Sequence, residues 1–145
     1  QYRTARILVA GRNFGCGSAR ESAAWAIESF GIRCIVARSF AELFRNNCLS
    51  NGILPVVLND AAMDALIAKV SAANGDATFT VDLTQQRITC PDNTVVPFQI
   101  APADRDALLQ GLDEIGLTLQ NAADISTWEQ RCRETRPWLQ TLNSI

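Results

Sequence analysis

The chain has 145 residues, of which 48% are hydrophobic, and its formal net charge is −2 at pH 7. A chain of this length buries about two thirds of its unfolded surface, so its core needs no disulfide or metal to hold it. The small net charge argues against a nucleic-acid or anionic-membrane partner, and no apolar run reaches the roughly 20 residues of a membrane helix.

Histidine is absent, which excludes Ser-His-Asp and Cys-His catalysis within this chain and removes the commonest metal ligand. Five cysteines are present, an odd number without any Cys-x-x-Cys pair: Cys16, Cys34, Cys48, Cys90 and Cys132. These spacings predict no disulfide framework, zinc site or iron–sulfur cluster in this chain, and they favour a reducing cytoplasm as its location.

Hydrophobic periodicity predicts strands that alternate with helices, then a meander of short strands, then two helices. In chain order the predicted elements are a strand at 7–10, a helix at 18–30, a strand at 34–37, a helix from 39 to about 48, a strand at 54–58, a helix at 60–72, alternating strands within 78–83, 88–90 and 96–100, and helices at 102–110 and 124–133 around loops at Gly111 and Gly116. This order predicts an α/β fold, with helices on a parallel sheet plus an antiparallel meander. We treat residues 1–145 as a single domain.

Two segments have the Ser-x-x-Glu form of a capping box, Ser18 to Glu21 and Ser39 to Glu42. In such a box the serine side chain accepts from the amide three residues later, and the glutamate side chain accepts from the serine amide. The pattern therefore predicts that the first two helices begin at these serines.

The turn that enters the first helix is the candidate functional segment. Gly15 and Gly17 permit an anion to approach the backbone amides at a helix start, and Arg20 offers a two-pronged donor for a carboxylate. The arrangement predicts an anion site. A dinucleotide fingerprint is excluded because Arg20 stands where a third glycine is needed, and a P-loop because no lysine precedes Ser18.

Two other interpretations of the same turn stay open at this point. The spacing also fits a purely structural turn, in which Ser18 is only a helix cap. Cys16 also fits a redox-sensing thiol whose pKa is lowered by a helix terminus, although no resolving cysteine accompanies it.

The segment 13–21, Asn-Phe-Gly-Cys-Gly-Ser-Ala-Arg-Glu, resembles the signature of isopropylmalate isomerase small subunits, whose counterpart is the swivelling domain of aconitases. Further blocks at 37–44, 46–57, 111–119 and 137–139 resemble the same family, so the resemblance covers essentially the whole chain. It implies a swivelling β/β/α domain.

The resemblance also implies a reaction. The family converts 2-isopropylmalate to 3-isopropylmalate in leucine biosynthesis, by loss and return of water through isopropylmaleate. It implies a large-subunit partner whose 4Fe-4S cluster binds the leaving hydroxyl, while the small subunit supplies the base and part of the carboxylate recognition. The isolated chain is therefore expected to be inactive.

By this resemblance Ser18 matches the catalytic base, which acts as an alkoxide, and Arg20 matches the substrate-carboxylate ligand. The neighbouring Cys16, Gly17 and Ala19 complete the predicted substrate-binding residues. We expect the positive field of a helix start, Arg20 and the exclusion of water to stabilise the alkoxide.

The sequence departs from the family pattern in three places. Ala19 stands where a second serine is usual, which removes one hydrogen bond to the substrate, and Ser22 stands where histidine is common. The family's N-terminal segment, with a loop associated with substrate choice, is missing, and we interpret the chain as trimmed or processed. Two rivals therefore remain: a related hydro-lyase subunit for citramalate, homocitrate or dimethylmalate, and a non-catalytic anion-binding module.

Overall fold

The computed structural model describes residues 3–73 and 77–139. The chain divides into two compact units, Gln1–Gly111 and Leu112–Ile145. Within the described ranges, every helix is too short or too polar to span a bilayer. The assignment of residues 1–145 to a single domain stays a prediction.

Three apolar runs of the first unit form a parallel sheet in the order β1-β2-β3. The strands are β1 (Ile7–Val9), β2 (Cys34–Ala37) and β3 (Leu54–Val57). In the register of the sheet, Ile35 lies between Leu8 and Pro55. All four residues of β2 are buried, which explains why its sequence is apolar without alternation. Pro55 lies on an edge strand of this sheet, where its missing N–H is tolerated.

Helices cover both faces of the parallel sheet. The described helices of this unit are α1 (Ser22–Phe30), α2 (Glu42–Ser50), α3 (Asp60–Ala72) and α4 (Pro102–Gln110). On one face α1 and α2 pack over β2, with Phe44 and Ile35 in the same buried cluster. On the other face α3 packs over the sheet, with Leu66 and Val36 in a second cluster.

The first two helices begin later than the capping-box pattern predicts, so that prediction is wrong. Helix α1 begins at Ser22 rather than Ser18, and α2 begins at Glu42 rather than Ser39. Neither helix has a side-chain hydrogen bond from its N-cap residue. The predicted caps Ser18 and Ser39 instead accept hydrogen bonds from backbone amides of the loop that follows β1.

The meander forms a second, antiparallel sheet in the order β4-β5-β6. Its strands are β4 (Thr80–Asp82), β5 (Arg87–Thr89) and β6 (Val95–Pro97). Ile88 of β5 is buried in the same cluster as Leu66 and Val36, so the meander and α3 pack into one hydrophobic cluster with the parallel sheet. The predicted α/β class, a parallel sheet with flanking helices and an antiparallel meander, is confirmed.

The described part of the second unit consists of α5 (Glu114–Leu119), α6 (Ala122–Thr135) and a 3-10 helix (Pro137–Leu139). The loop predicted at Gly116 is wrong, since this glycine lies inside α5. The Asp113 carboxylate accepts the Gly116 amide at 2.7 Å. Such a cap contributes about 1 kcal/mol, which offsets the similar cost of a glycine in a helix.

Candidate active site

The loop that contains the predicted site leaves the carboxyl end of β1 and is fastened first to the connection between β2 and α2. The Asn13 amide donates to Ser39 Oγ at 2.8 Å and the Phe14 amide to the Ser39 carbonyl at 2.9 Å. The Ala41 amide donates back to the Phe14 carbonyl at 2.9 Å. Ser39 thus anchors this loop instead of capping its own helix.

Aromatic packing fixes the next residues. The Phe14 ring meets Phe44 edge-on, with centroids 5.5 Å apart. Gly15 has φ +85°, and a Cβ built there would lie 2.1 Å from Phe44 Cγ. At Gly17 the same construction meets nothing within 4 Å. Gly15 is therefore required by packing, whereas Gly17 leaves open space beside Ser18.

Ser18 is half-buried and does not belong to either buried core cluster. Its Oγ accepts the Arg20 amide at 3.2 Å, two residues along the chain. A serine side chain that bonds locally in this way competes with helix formation, which is one reason why α1 begins only at Ser22. The same bond places a backbone donor on the oxygen that the family resemblance assigns as the base.

Glu21, the second residue of the predicted capping box, has a different partner. Its carboxylate accepts from Asn51 Nδ2 at 3.0 Å, at the end of α2. The adjacent turn is held from the same helix, because Asn47 Nδ2 donates to the Ala19 carbonyl at 3.4 Å. A partner 30 residues away in sequence thus takes the side chain that local spacing assigns to Ser18.

The turn leaves donors free for an anion. Among the described residues, the Gly17 and Ala19 amides have no acceptor, and no carboxylate lies within ion-pair distance of the Arg20 guanidinium. The Cys16 amide, by contrast, donates to the Asn13 carbonyl at 3.3 Å. Arg20, Gly17 and Ala19 are all exposed. The turn, rather than a helix terminus, therefore presents the cationic and amide donors.

A charged network that the sequence interpretation missed lies where the three parallel strands end. Arg12 pairs with Asp60 at 2.5 Å, and Arg38 pairs with Asp60 at 2.8 Å and with Asp64. Hydrogen bonds from Arg38 and then Arg12 lower the pKa of the Asp60 carboxyl. The sequence contains the pattern that predicts this network, because a charged residue follows each of the three parallel strands. The carboxyl edge of an open parallel sheet is also where ligands bind.

The cysteines occupy separate environments. Burial raises the pKa of the Cys34 and Cys48 thiols to about 12, so both remain protonated thiols at neutral pH. Cys16 is exposed on the candidate turn. Within the described ranges no three cysteine or carboxylate side chains gather as a metal-ligand set.

A cleft of about 430 Å³ lies elsewhere, between β1, α3 and the start of the meander. Its apolar lining includes Val9, Leu66 and Phe79, and none of the predicted site residues borders it. The candidate turn, in which Gly17, Ala19 and Arg20 are exposed, therefore lies on the surface outside this cleft.

Three family models match successive parts of the chain. The model of the aconitase C-terminal domain matches residues 1–61, and a model described as LeuD_N matches 64–102. The model of the C-terminal domain of the 3-isopropylmalate dehydratase small subunit matches 114–141. A crystal structure of 3-isopropylmalate dehydratase from Methanocaldococcus jannaschii is similar with a TM-score of 0.62 and 27% identity, over 83% of this chain and 68% of that one.

The first of these matches places residues 1–61 in the class of aconitase C-terminal domains. A 3-isopropylmalate dehydratase small subunit from Rhodospirillum centenum is 52% identical over 94% of this chain and 67% of its own length. Another from Parvibaculum lavamentivorans is 51% identical over 95% of this chain and 68% of its own length. The chain belongs to the family of 3-isopropylmalate dehydratase small subunits, which are parts of a hydro-lyase.

Proposed function

We propose that this chain, paired with a large subunit, isomerises 2-isopropylmalate to 3-isopropylmalate by dehydration and rehydration, in leucine biosynthesis. The observation that carries the proposal is the turn itself. The oxygen of half-buried Ser18 accepts the Arg20 amide at 3.2 Å, and among the described residues the guanidinium of the same arginine has no ion-pair partner.

Ser18 is the proposed base. It removes the proton from the carbon next to a substrate carboxylate, while the hydroxyl leaves from the neighbouring carbon. In the second half of the reaction a hydroxide equivalent returns to the carbon that lost the proton, and the Ser18 hydroxyl gives its proton to the carbon that lost the hydroxyl. A serine alkoxide needs strong local stabilisation, and the Arg20 amide supplies one donor on its oxygen.

Arg20 is the proposed carboxylate ligand, because its guanidinium can form two parallel hydrogen bonds with one carboxylate. The free amides of Gly17 and Ala19 are further donors beside it. Cys16 has less to offer the substrate than the sequence predicts. Its amide already donates to the Asn13 carbonyl, so only its exposed side chain remains for a contact.

We assign the 4Fe-4S cluster to the large-subunit partner, because the described residues of this chain offer no ligand set for it. When bound there, the cluster supplies the Lewis acid for the hydroxyl group. This chain's share is the proton at Ser18 and the substrate carboxylate at Arg20. The proposed location is the cytoplasm, a prediction that rests on the cysteine usage.

The test is reconstitution. We expect the chain to co-purify with a cluster-bearing large subunit, and we expect 2-isopropylmalate turnover from the complex but from neither subunit alone. Turnover by the isolated chain would contradict the division of labour. A stable complex that leaves every hydroxy-acid unchanged would support a non-catalytic anion-binding module instead.

A related substrate is the second candidate. Ala19 is exposed directly beside Arg20, and it lacks the hydroxyl that the family usually offers to the substrate. A panel of citramalate, homocitrate and dimethylmalate on the assembled enzyme distinguishes the candidates by their kcat/KM values. The proposal expects 2-isopropylmalate to have the highest value.

A further inference from the structure

We infer that Asn47 is a positioning residue for the reactive serine, acting through the peptide that joins Ala19 to Arg20. The inference rests on the proposed role of Ser18 as the base. Asn47 lies on α2 and is not among the site residues that the sequence predicts.

One peptide unit connects Asn47 to Ser18. Asn47 Nδ2 donates to the Ala19 carbonyl oxygen at 3.4 Å, and the amide of the same peptide, on Arg20, donates to Ser18 Oγ at 3.2 Å. A peptide is planar, so fixing its carbonyl also fixes the direction of its N–H. Hydrogen bonds in such a chain also polarise one another, which strengthens the donor on the serine oxygen.

Asn51 supports this arrangement through two side-chain hydrogen bonds. Its Nδ2 donates to the Asn47 carbonyl at 2.8 Å and to Glu21 Oε1 at 3.0 Å. An amide nitrogen has two hydrogens, and both are used here. If the Asn51 side-chain amide were flipped, its oxygen would face the Asn47 carbonyl and the Glu21 carboxylate, which are both acceptors. The two asparagines therefore hold the residues on both sides of Arg20.

The anchor lies next to the buried core. Cys48, next to Asn47, is fully buried, and Asn47 itself is half-buried. The Asn51 amide also donates to the Asn47 and Cys48 carbonyls, at 3.2 Å each. The turn thus takes its geometry from the end of a packed helix, as a site built on rigid elements requires.

The test compares Asn47→Ala with Asn46→Ala in the complex with the large subunit. Asn46 precedes Asn47 on the same helix and is exposed, so the control makes the same chemical change away from the turn. For Asn47→Ala we expect kcat on 2-isopropylmalate to fall about 10- to 100-fold, while KM changes less than about threefold. We also expect the acidic, rising limb of the kcat–pH profile to move to higher pH, because the serine oxygen has lost a fixed donor and its alkoxide forms less readily. Asn46→Ala should match the wild type.

A second readout does not depend on turnover. Hydrogen–deuterium exchange of the segment 18–21 in the complex should be faster in Asn47→Ala than in Asn46→Ala. Glu21→Ala, which removes an acceptor of Asn51, should give the same changes to a smaller degree and carries the test if Asn47→Ala does not fold.

The two proposals fail differently. If the wild-type complex does not turn over 2-isopropylmalate, or Ser18→Ala remains active, the proposed function is wrong and the exchange data alone decide the positioning role. If the wild type is active and Ser18→Ala is not, yet Asn47→Ala equals Asn46→Ala in kcat, pH profile and exchange, then the inference about Asn47 is overturned.

Discussion

Gly15→Ala is expected to destabilise the chain strongly, although it adds a single methyl group. With φ at +85°, an alanine at this position is strained by about 1–2 kcal/mol. Its Cβ would also lie 2.1 Å from Phe44 Cγ, and the Phe44 side chain is only 2% exposed, so the ring has to move within the core. Overpacking of this kind costs about 1–3 kcal/mol. Together the two effects lower the free energy of unfolding by about 2–5 kcal/mol.

Urea unfolding of the chain at pH 7, followed by far-ultraviolet circular dichroism, measures this change. In a thermal melt the midpoint should fall by roughly 4–20 °C, at about 2–4 °C for each kcal/mol in a domain of this size. Gly17→Ala is the matched control, because a Cβ there meets nothing within 4 Å; its unfolding free energy should stay within about 0.5 kcal/mol of the wild type. Equal stability of the two variants would refute the packing argument for Gly15.

Three further predictions concern the charges and the thiol near the turn. Arg20→Lys should raise KM for 2-isopropylmalate more than it lowers kcat, because a point charge replaces a two-pronged donor; a change confined to kcat would contradict the carboxylate role. The pKa of Asp60 is lowered in the folded chain, so its ion pairs stabilise the fold above about pH 4 and lose that effect as pH falls further. The urea midpoints of wild type and Asp60→Asn should therefore differ at pH 7 and converge below about pH 4, and a constant gap would contradict the network. Cys16→Ser should keep kcat within about threefold, since the Cys16 amide bond to Asn13 does not need the thiol; loss of turnover would favour the redox interpretation.

Much of the fold follows from hydrophobic patterning. The continuous apolar run at 34–37 predicts a strand buried on both faces, and β2 is buried in this way. The period-two alternation around Ile88 predicts a half-buried antiparallel strand, and β5 pairs on both sides in the meander. These features depend on burial alone, which a single sequence reports directly.

The wrong predictions share one cause, namely hydrogen bonds whose partners are distant in sequence or local in an unexpected way. Glu21 is engaged by Asn51, and Ser39 holds Asn13, so neither takes part in a capping box. Ser18 Oγ accepts from the Arg20 amide, two residues along the chain, instead of from an amide in the first turn of a helix. Spacing alone cannot rank such alternatives, because each is worth only about 1 kcal/mol.

The candidate site was predictable in part. The adjacency of Ser18 and Arg20 is a property of the sequence, and the family resemblance supplies their roles. The devices that shape the turn, namely the Phe44 ring under Gly15 and the Asn47 side chain on the Ala19 carbonyl, depend on how α2 packs. They emerge only once the fold is known.

Turnover by the Ser18→Ala complex tests the central claim most directly. The variant should co-purify with the large subunit in the wild-type ratio, while kcat on 2-isopropylmalate falls by about 10²- to 10⁴-fold, the usual contribution of a positioned base. A Ser18→Ala complex that retains kcat within about threefold of the wild type would show that another group moves the proton.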